Sequence, residues 1–79
     1  MQVGFYQFTP LFGEVSRNLD KIVDTLDRVD ADLIVLPELC ASGYQFVSQQ
    51  EVVALSESVP NGPTTQRLID LAKRRRMTI

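Results

Sequence analysis

Two short, unbroken apolar runs bracket a stretch of helical periodicity, and this pattern constrains the chain more than any other feature of it. The first run, Gln2–Phe8, gathers Val3, Phe5, Tyr6 and Phe8 and is closed by Thr9-Pro10. The second, Leu33-Ile34-Val35-Leu36, is stopped by Pro37. Continuous runs of this kind read as strands buried on both faces. Between them Leu19, Ile22, Val23 and Leu26 recur at helical spacing, which predicts a helix from Ser16, a candidate cap, to about Val29. Arg17, Asp20, Lys21, Asp24, Asp27 and Arg28 fall largely on the other side, as a wet face. Strand, helix and strand make a βαβ unit, which implies parallel pairing through a right-handed crossover. A parallel sheet needs cover on both faces, and one helix supplies it for only one.

Beyond Pro37, the segment Glu38–Val47 has no period and contains Gly43, so it reads as a loop. Ser48-Gln49-Gln50-Glu51 has the S-x-x-E form of a capping box, with Val47 and Val52 placed as a hydrophobic staple, predicting a short helix to about Ser56. Val59-Pro60-Asn61-Gly62-Pro63 is a turn, and Pro63 suits the first position of a helix. Leu68, Ile69, Leu71 and Ala72 carry that helix into the basic run Lys73–Arg76, after which Met77-Thr78-Ile79 begins a third strand. A chain that stops three residues into a strand is expected to be the N-terminal piece of a longer α/β protein, with residues 1–79 forming part of one domain.

Composition narrows the classes. At 44% hydrophobic and 23% charged residues, the chain is globular rather than disordered. No apolar run approaches the roughly 18–20 residues of a membrane span, and Met1–Phe8 carries no basic residue to start a secretory signal. Cys40 is the single cysteine and has no internal disulfide partner, so a reducing cytoplasm is the expected compartment. With no histidine, these residues contain no Ser-His or Cys-His dyad and no His-ligated metal. Net charge is −2; half of the eight basic residues sit in Lys73–Arg76, leaving four against ten acidic ones elsewhere. Cations at a helix end complement its dipole. Without interleaved aromatics or a second basic cluster, the run reads as a solvated helix end and not as a nucleic-acid contact.

In parallel α/β sheets, ligands bind beyond the carboxyl ends of the strands. Two such ends occur here, Gln7-Phe8-Thr9 and Pro37-Glu38, and Glu38 is the carboxylate that topology brings to one of them. Partial burial beside Leu36, Pro37 and Leu39 would suit it to general-base work. The pattern alone equally allows an exposed loop glutamate, or one that caps a nearby backbone N–H. Cys40, alone in an apolar stretch, reads as a small buried residue rather than a nucleophile. Asn18 and Asp32 read as structural, through local backbone hydrogen bonds, and Phe12 and Phe46 as core or interface aromatics.

Asp32-Leu33-Ile34-Val35-Leu36-Pro37-Glu38-Leu39 resembles the first catalytic motif of the nitrilase, or carbon–nitrogen hydrolase, superfamily. The context is similar too: the opening Val3–Gln7 strand, Asn18 early in the first helix, Ser42-Gly43-Tyr44 after the motif, and Gly62-Pro63-Thr64-Thr65 opening a helix. The likeness covers essentially the whole chain in order. It implies the N-terminal part of an α-β-β-α sandwich and a Glu-Lys-Cys triad that needs neither metal nor organic cofactor. In such enzymes the glutamate is general base toward a cysteine thiol, which attacks an amide or nitrile carbon, and a lysine stabilises the developing negative charge.

Glu38 is the only member of that triad matched here, because the motifs of the lysine and the nucleophilic cysteine come later in the family. Lys21, Lys73 and Cys40 stand outside those motifs. Tyr44 resembles a residue that lines the family's substrate pocket; packing within its own loop is the other reading. The resemblance implies a cytoplasmic amidase-type enzyme, a homo-oligomer acting on a small amide, carbamoyl or nitrile compound, with no nucleic-acid or membrane partner. The 79-residue piece alone is expected to be inactive. The rival expectation is a small non-catalytic α/β module that meets a partner through its exposed sheet.

Overall fold

A computed structural model describes all 79 residues. Strands β1 (Val3–Phe5) and β2 (Leu33–Val35) lie parallel, with Val3 opposite Leu33, Gly4 opposite Ile34 and Phe5 opposite Val35. The ladder continues for one more bond, from the Tyr6 N–H to the Val35 carbonyl at 3.0 Å. Both strands are shorter than the apolar runs predict. Proline at 37 has no N–H to donate, so β2 offers nothing for the end of the first run to pair with. On the other edge of β2, Thr78 forms a parallel bridge to Leu33, its N–H donating to the Asp32 carbonyl and its carbonyl accepting from Ile34, both at 2.8 Å. The expected third strand thus begins at Thr78, and β2 is the central strand.

The expectation of strands buried on both faces fails. Ile34 and Phe8 are buried and Tyr6 packs against the core, whereas Val3, Phe5 and Val35 are 64%, 77% and 55% exposed. The reason is that the two long helices, α1 (Val15–Leu26) and α3 (Pro63–Arg75), pack against each other on the Ile34 side of the sheet. Their apolar stripes meet there: Leu19, Ile22 and Leu26 from α1 and Leu71 from α3 are all essentially inaccessible. Nothing within these residues covers the other side.

Helix α1 begins one residue before the expected cap, and Glu14 precedes it without any side-chain cap bond. The chain enters from a tight turn in which the Glu14 N–H donates to the Leu11 carbonyl at 3.1 Å and Gly13 takes a positive φ of 73°. Ser16 is already inside the first turn. At the other end, Arg28 and Val29 donate to the carbonyls three residues back, which tightens the chain and ends the helix at Leu26 rather than Val29.

Helix α2 (Gln49–Leu55) is capped as predicted, the Ser48 hydroxyl accepting from the Glu51 N–H at 3.2 Å. The reciprocal half of the box lands one residue early, with Glu51 accepting from the Val47 N–H at 3.1 Å. Val47 is 88% exposed, so the staple is not formed. Pro63 opens α3 as expected, but the cap comes from Glu57, whose carboxylate accepts from the Thr64 N–H at 2.7 Å and from the Thr64 hydroxyl.

The charged face of α1 and the basic end of α3 are more than solvated surfaces. Arg67 pairs with Asp20 at 2.7 Å, and Arg74 grips both oxygens of Asp27 at 2.9 and 3.0 Å. Arg75 reaches Asp30 and the Val29 carbonyl, each at 2.9 Å. These bonds fasten α3 to α1 and to the segment leading into β2; Lys73 and Arg76 stay exposed. No helix is long and apolar enough to cross a membrane.

Candidate active site

Leaving the central strand, the chain passes Leu36 and Pro37 and enters a turn that starts at Glu38. Leu39 takes a positive φ of 55°, a conformation that costs a residue with a side chain roughly 1–2 kcal/mol. The turn closes four residues later, where the Gly43 N–H donates to the Leu39 carbonyl at 2.9 Å. Glu38 therefore leads into this turn and Tyr44 leads out of it. Glu38 is exposed, not partly buried as expected, because its neighbours Val35 and Leu39 lie uncovered as well. Tyr44 is 66% exposed.

A second loop, Leu11–Gly13 after β1, backs this turn. The Gly13 N–H donates to the Ser42 carbonyl at 2.8 Å. Gly43 comes so near this loop that a Cβ there would stand 3.1 Å from the Phe12 Cα, and its φ of 76° favours glycine on its own account. The rings of Phe12 and Phe46, read as core or interface aromatics, meet edge to face at 5.1 Å, each half-buried and outside the main core.

Asn18 joins the two loops from within α1. It is 2% exposed. Its Oδ1 accepts from the Leu11 N–H at 2.8 Å, while Nδ2 donates to the carbonyls of Leu11 and Ala41 at 2.8 and 2.7 Å. Asp32 likewise reaches across the sheet, its carboxylate accepting from the Gln2 N–H at 2.6 Å. Both residues serve the backbone, as expected, but over long sequence separations rather than locally.

Cys40 lies inside the turn and is half-buried. Burial pushes its thiol above the ordinary 9.0, partly opposed by a backbone hydrogen bond, so it is a neutral thiol at neutral pH. It faces a cleft of about 320 Å³ shared with Ser42, Leu55 and Thr64. Lys21 lies over the Phe8 ring, 5.6 Å from its centre, and Lys73 is exposed on the last turn of α3. No three Cys, Asp or Glu side chains gather in a way that could hold a metal ion.

What this assembly offers chemically is a solvent-facing carboxylate at the carboxyl end of the central parallel strand, on a strained and internally bonded turn. Comparison with known sequences places the chain in a family. The model of the carbon-nitrogen hydrolase family matches residues 2–79. The chain belongs to the carbon-nitrogen hydrolase family. Among curated relatives, a protein named Nitrilase from Pyrococcus abyssi is 33% identical over 76 residues, covering 92% of this chain and 29% of that protein. A "Hydrolase in pqqF 5'region" from Pseudomonas protegens is 38% identical over 74 residues, covering 92% and 25%. A Protein N-terminal amidase from Schizosaccharomyces pombe is 31% identical over 64 residues, covering 75% and 22%. The chain thus spans less than a third of the length of these relatives.

As a portion of a carbon-nitrogen hydrolase, the α/β arrangement is the one the sequence implies: a parallel sheet with helices on one side. Two participants in the site escape sequence reasoning. The Leu11–Gly13 loop carries no motif, and the strain at Leu39 has no signature in a leucine. Asn18 did leave a trace, since asparagine is a poor choice for a helix interior unless its side chain has backbone to bond.

Proposed function

We propose that the intact protein hydrolyses a carbon–nitrogen bond of a small amide or carbamoyl compound, with Glu38 as general base. The observation that carries this reading is the position of Glu38: it stands three residues beyond the end of the central strand, in a chain that matches the family from residue 2 to 79. The reaction is the one that membership of this family implies for Glu38. Glu38 takes the proton of a cysteine thiol as the sulfur attacks the amide carbon, and a lysine stabilises the oxyanion that forms. The C–N bond then breaks as protonated Glu38 gives its proton to the departing nitrogen, which returns Glu38 to the carboxylate. Water attacks the resulting thioester, Glu38 again accepting the proton, and the acid is released. The lysine and the nucleophilic cysteine belong to sequence outside these 79 residues, so the piece alone is inert. Tyr44, leaving the same turn, offers an amphipathic ring to pack and hydrogen-bond a substrate. No metal or organic cofactor enters this chemistry. A reducing cytoplasm and a homo-oligomer complete the reading.

Ammonia release by the intact protein, measured over a panel of small amides and nitriles, tests it. Turnover should fall by about 10²–10⁴ in Glu38→Gln, which keeps the shape and removes the base. Near-normal turnover by that variant contradicts the assignment. One observation favours a second reading, a non-catalytic module that binds a partner: the bare apolar face of Val3, Phe5 and Val35. Encoded sequence beyond residue 79 separates the two, since lysine and cysteine motifs there belong to the first reading alone.

A further inference from the structure

We infer that Asn18 is a positioning residue for the Glu38 turn, an inference that rests on the reading of Glu38 as the base. The turn from Glu38 to Gly43 is itself neither helix nor strand; Ala41 packs into the core and Cys40 against it. Two bonds and one tight contact fasten its second half, one bond coming from Asn18 in α1 and the rest from the Leu11–Gly13 loop. Asn18 Nδ2 donates to the Ala41 carbonyl at 2.7 Å, and the Gly13 N–H donates to the Ser42 carbonyl at 2.8 Å. Gly43 closes against the Phe12 backbone, where a Cβ would stand 3.1 Å from the Phe12 Cα.

Asn18 is the hub of this arrangement. Both of its polar atoms are used, and three backbone groups on two loops converge on it. It is rooted in α1, between Val15 and Leu19, which pack into or against the core, so it ties the placement of that helix to a turn outside any helix or strand. Aspartate at this position keeps the acceptor for the Leu11 N–H, but its other oxygen faces the carbonyls of Leu11 and Ala41 with nothing to donate. The turn would then be released at Ala41, three residues from Glu38. A general base works only within hydrogen-bond reach of the proton it takes, so a small displacement there is costly.

The test uses the intact protein and four variants. Asn18→Asp is expected to lower kcat by about 10²-fold, the size of loss a misplacement of about 1 Å produces, while KM changes little. Amide hydrogen exchange at Gly13 and Gly43 should quicken in the same variant. Leu26→Ala, a core deletion at the far end of α1 that bonds to neither loop, should lower thermal stability and leave kcat unchanged. Wild-type kcat in Asn18→Asp, or a loss of kcat in Leu26→Ala in proportion to its loss of stability, overturns the inference. Should Asn18→Asp fail to fold, Gly43→Ala forces the two loops apart without touching Asn18 and must show the same fall in kcat; an unchanged kcat there overturns it equally. Glu38→Gln, measured alongside, keeps the two ideas separable. Full activity in Glu38→Gln removes the base assignment. Full activity in Asn18→Asp beside an inactive Glu38→Gln removes only the positioning role.

Discussion

Glu38 and Cys40 stand two residues apart on one turn, and their surroundings suit them to different tasks. Glu38 is open to solvent at the end of β2, where a substrate can approach. Cys40 is half-buried, and that burial holds the thiol in its neutral, unreactive form. Because its folded value is raised above the ordinary 9.0, the stability this thiol contributes is fully present below pH 9.0 and is lost as pH rises through the folded value. Cys40→Ala should therefore keep most of the activity of the intact protein and weaken the alkaline loss of stability. Thermal midpoints measured from neutral to alkaline pH check this, and a variant with the same alkaline slope as the wild type argues against it. Iodoacetamide should alkylate Cys40 slowly at neutral pH and faster only on the alkaline side. The place of Glu38 beyond the central strand was readable from the sequence, because an apolar run stopped by a proline marks a strand end. Its exposure was not, since that depends on whether Val35 and Leu39 are covered, which involves residues far along the chain.

The elements divide in the same way into what is local and what is not. Ser48 capping α2 and Pro63 opening α3 are decided within one turn of chain, and both are as the sequence predicts. The apolar stripe of α1 is correct for a similar reason, because spacing alone sets which residues share a face. The errors are tertiary. Glu57 caps α3 from outside the helix, and Asp20, Asp27 and Asp30 hold the arginines of α3 across more than forty residues of chain. Glu57→Ala removes both bonds to Thr64 and should destabilise the intact protein by about 1 kcal/mol, the usual cost of losing a helix cap. Chemical denaturation measures this directly. An unchanged midpoint would show that water replaces the carboxylate at the start of α3. The ion pairs are exposed, and their removal one at a time is expected to cost less, about 0–1 kcal/mol each.

Across the whole molecule, helices cover one face of a three-position sheet and leave the other bare. Val3, Phe5 and Val35 present an apolar patch beside the open edge of β1, and each large side chain left wet forgoes roughly 1.5–3 kcal/mol of burial. The isolated 79-residue chain should therefore self-associate through this face and show no amidase activity. Light scattering that finds a well-folded monomer at micromolar concentration contradicts the expectation, and Phe5→Ser should weaken the association if this face is responsible. The strands read as buried on both faces because Val3, Phe5 and Val35 on the bare side are as apolar as Tyr6, Phe8 and Ile34 on the covered side. The decisive measurement concerns the chemistry assigned to Glu38. Intact-protein mass spectrometry with peptide mapping, applied to the complete protein mixed with an amide it turns over, follows the substrate-derived acyl group. A thioester should form on a cysteine other than Cys40, and its rate of formation should fall by about 10²–10⁴ in Glu38→Gln. An adduct that forms at an undiminished rate in that variant, or that maps to Cys40, would contradict the account.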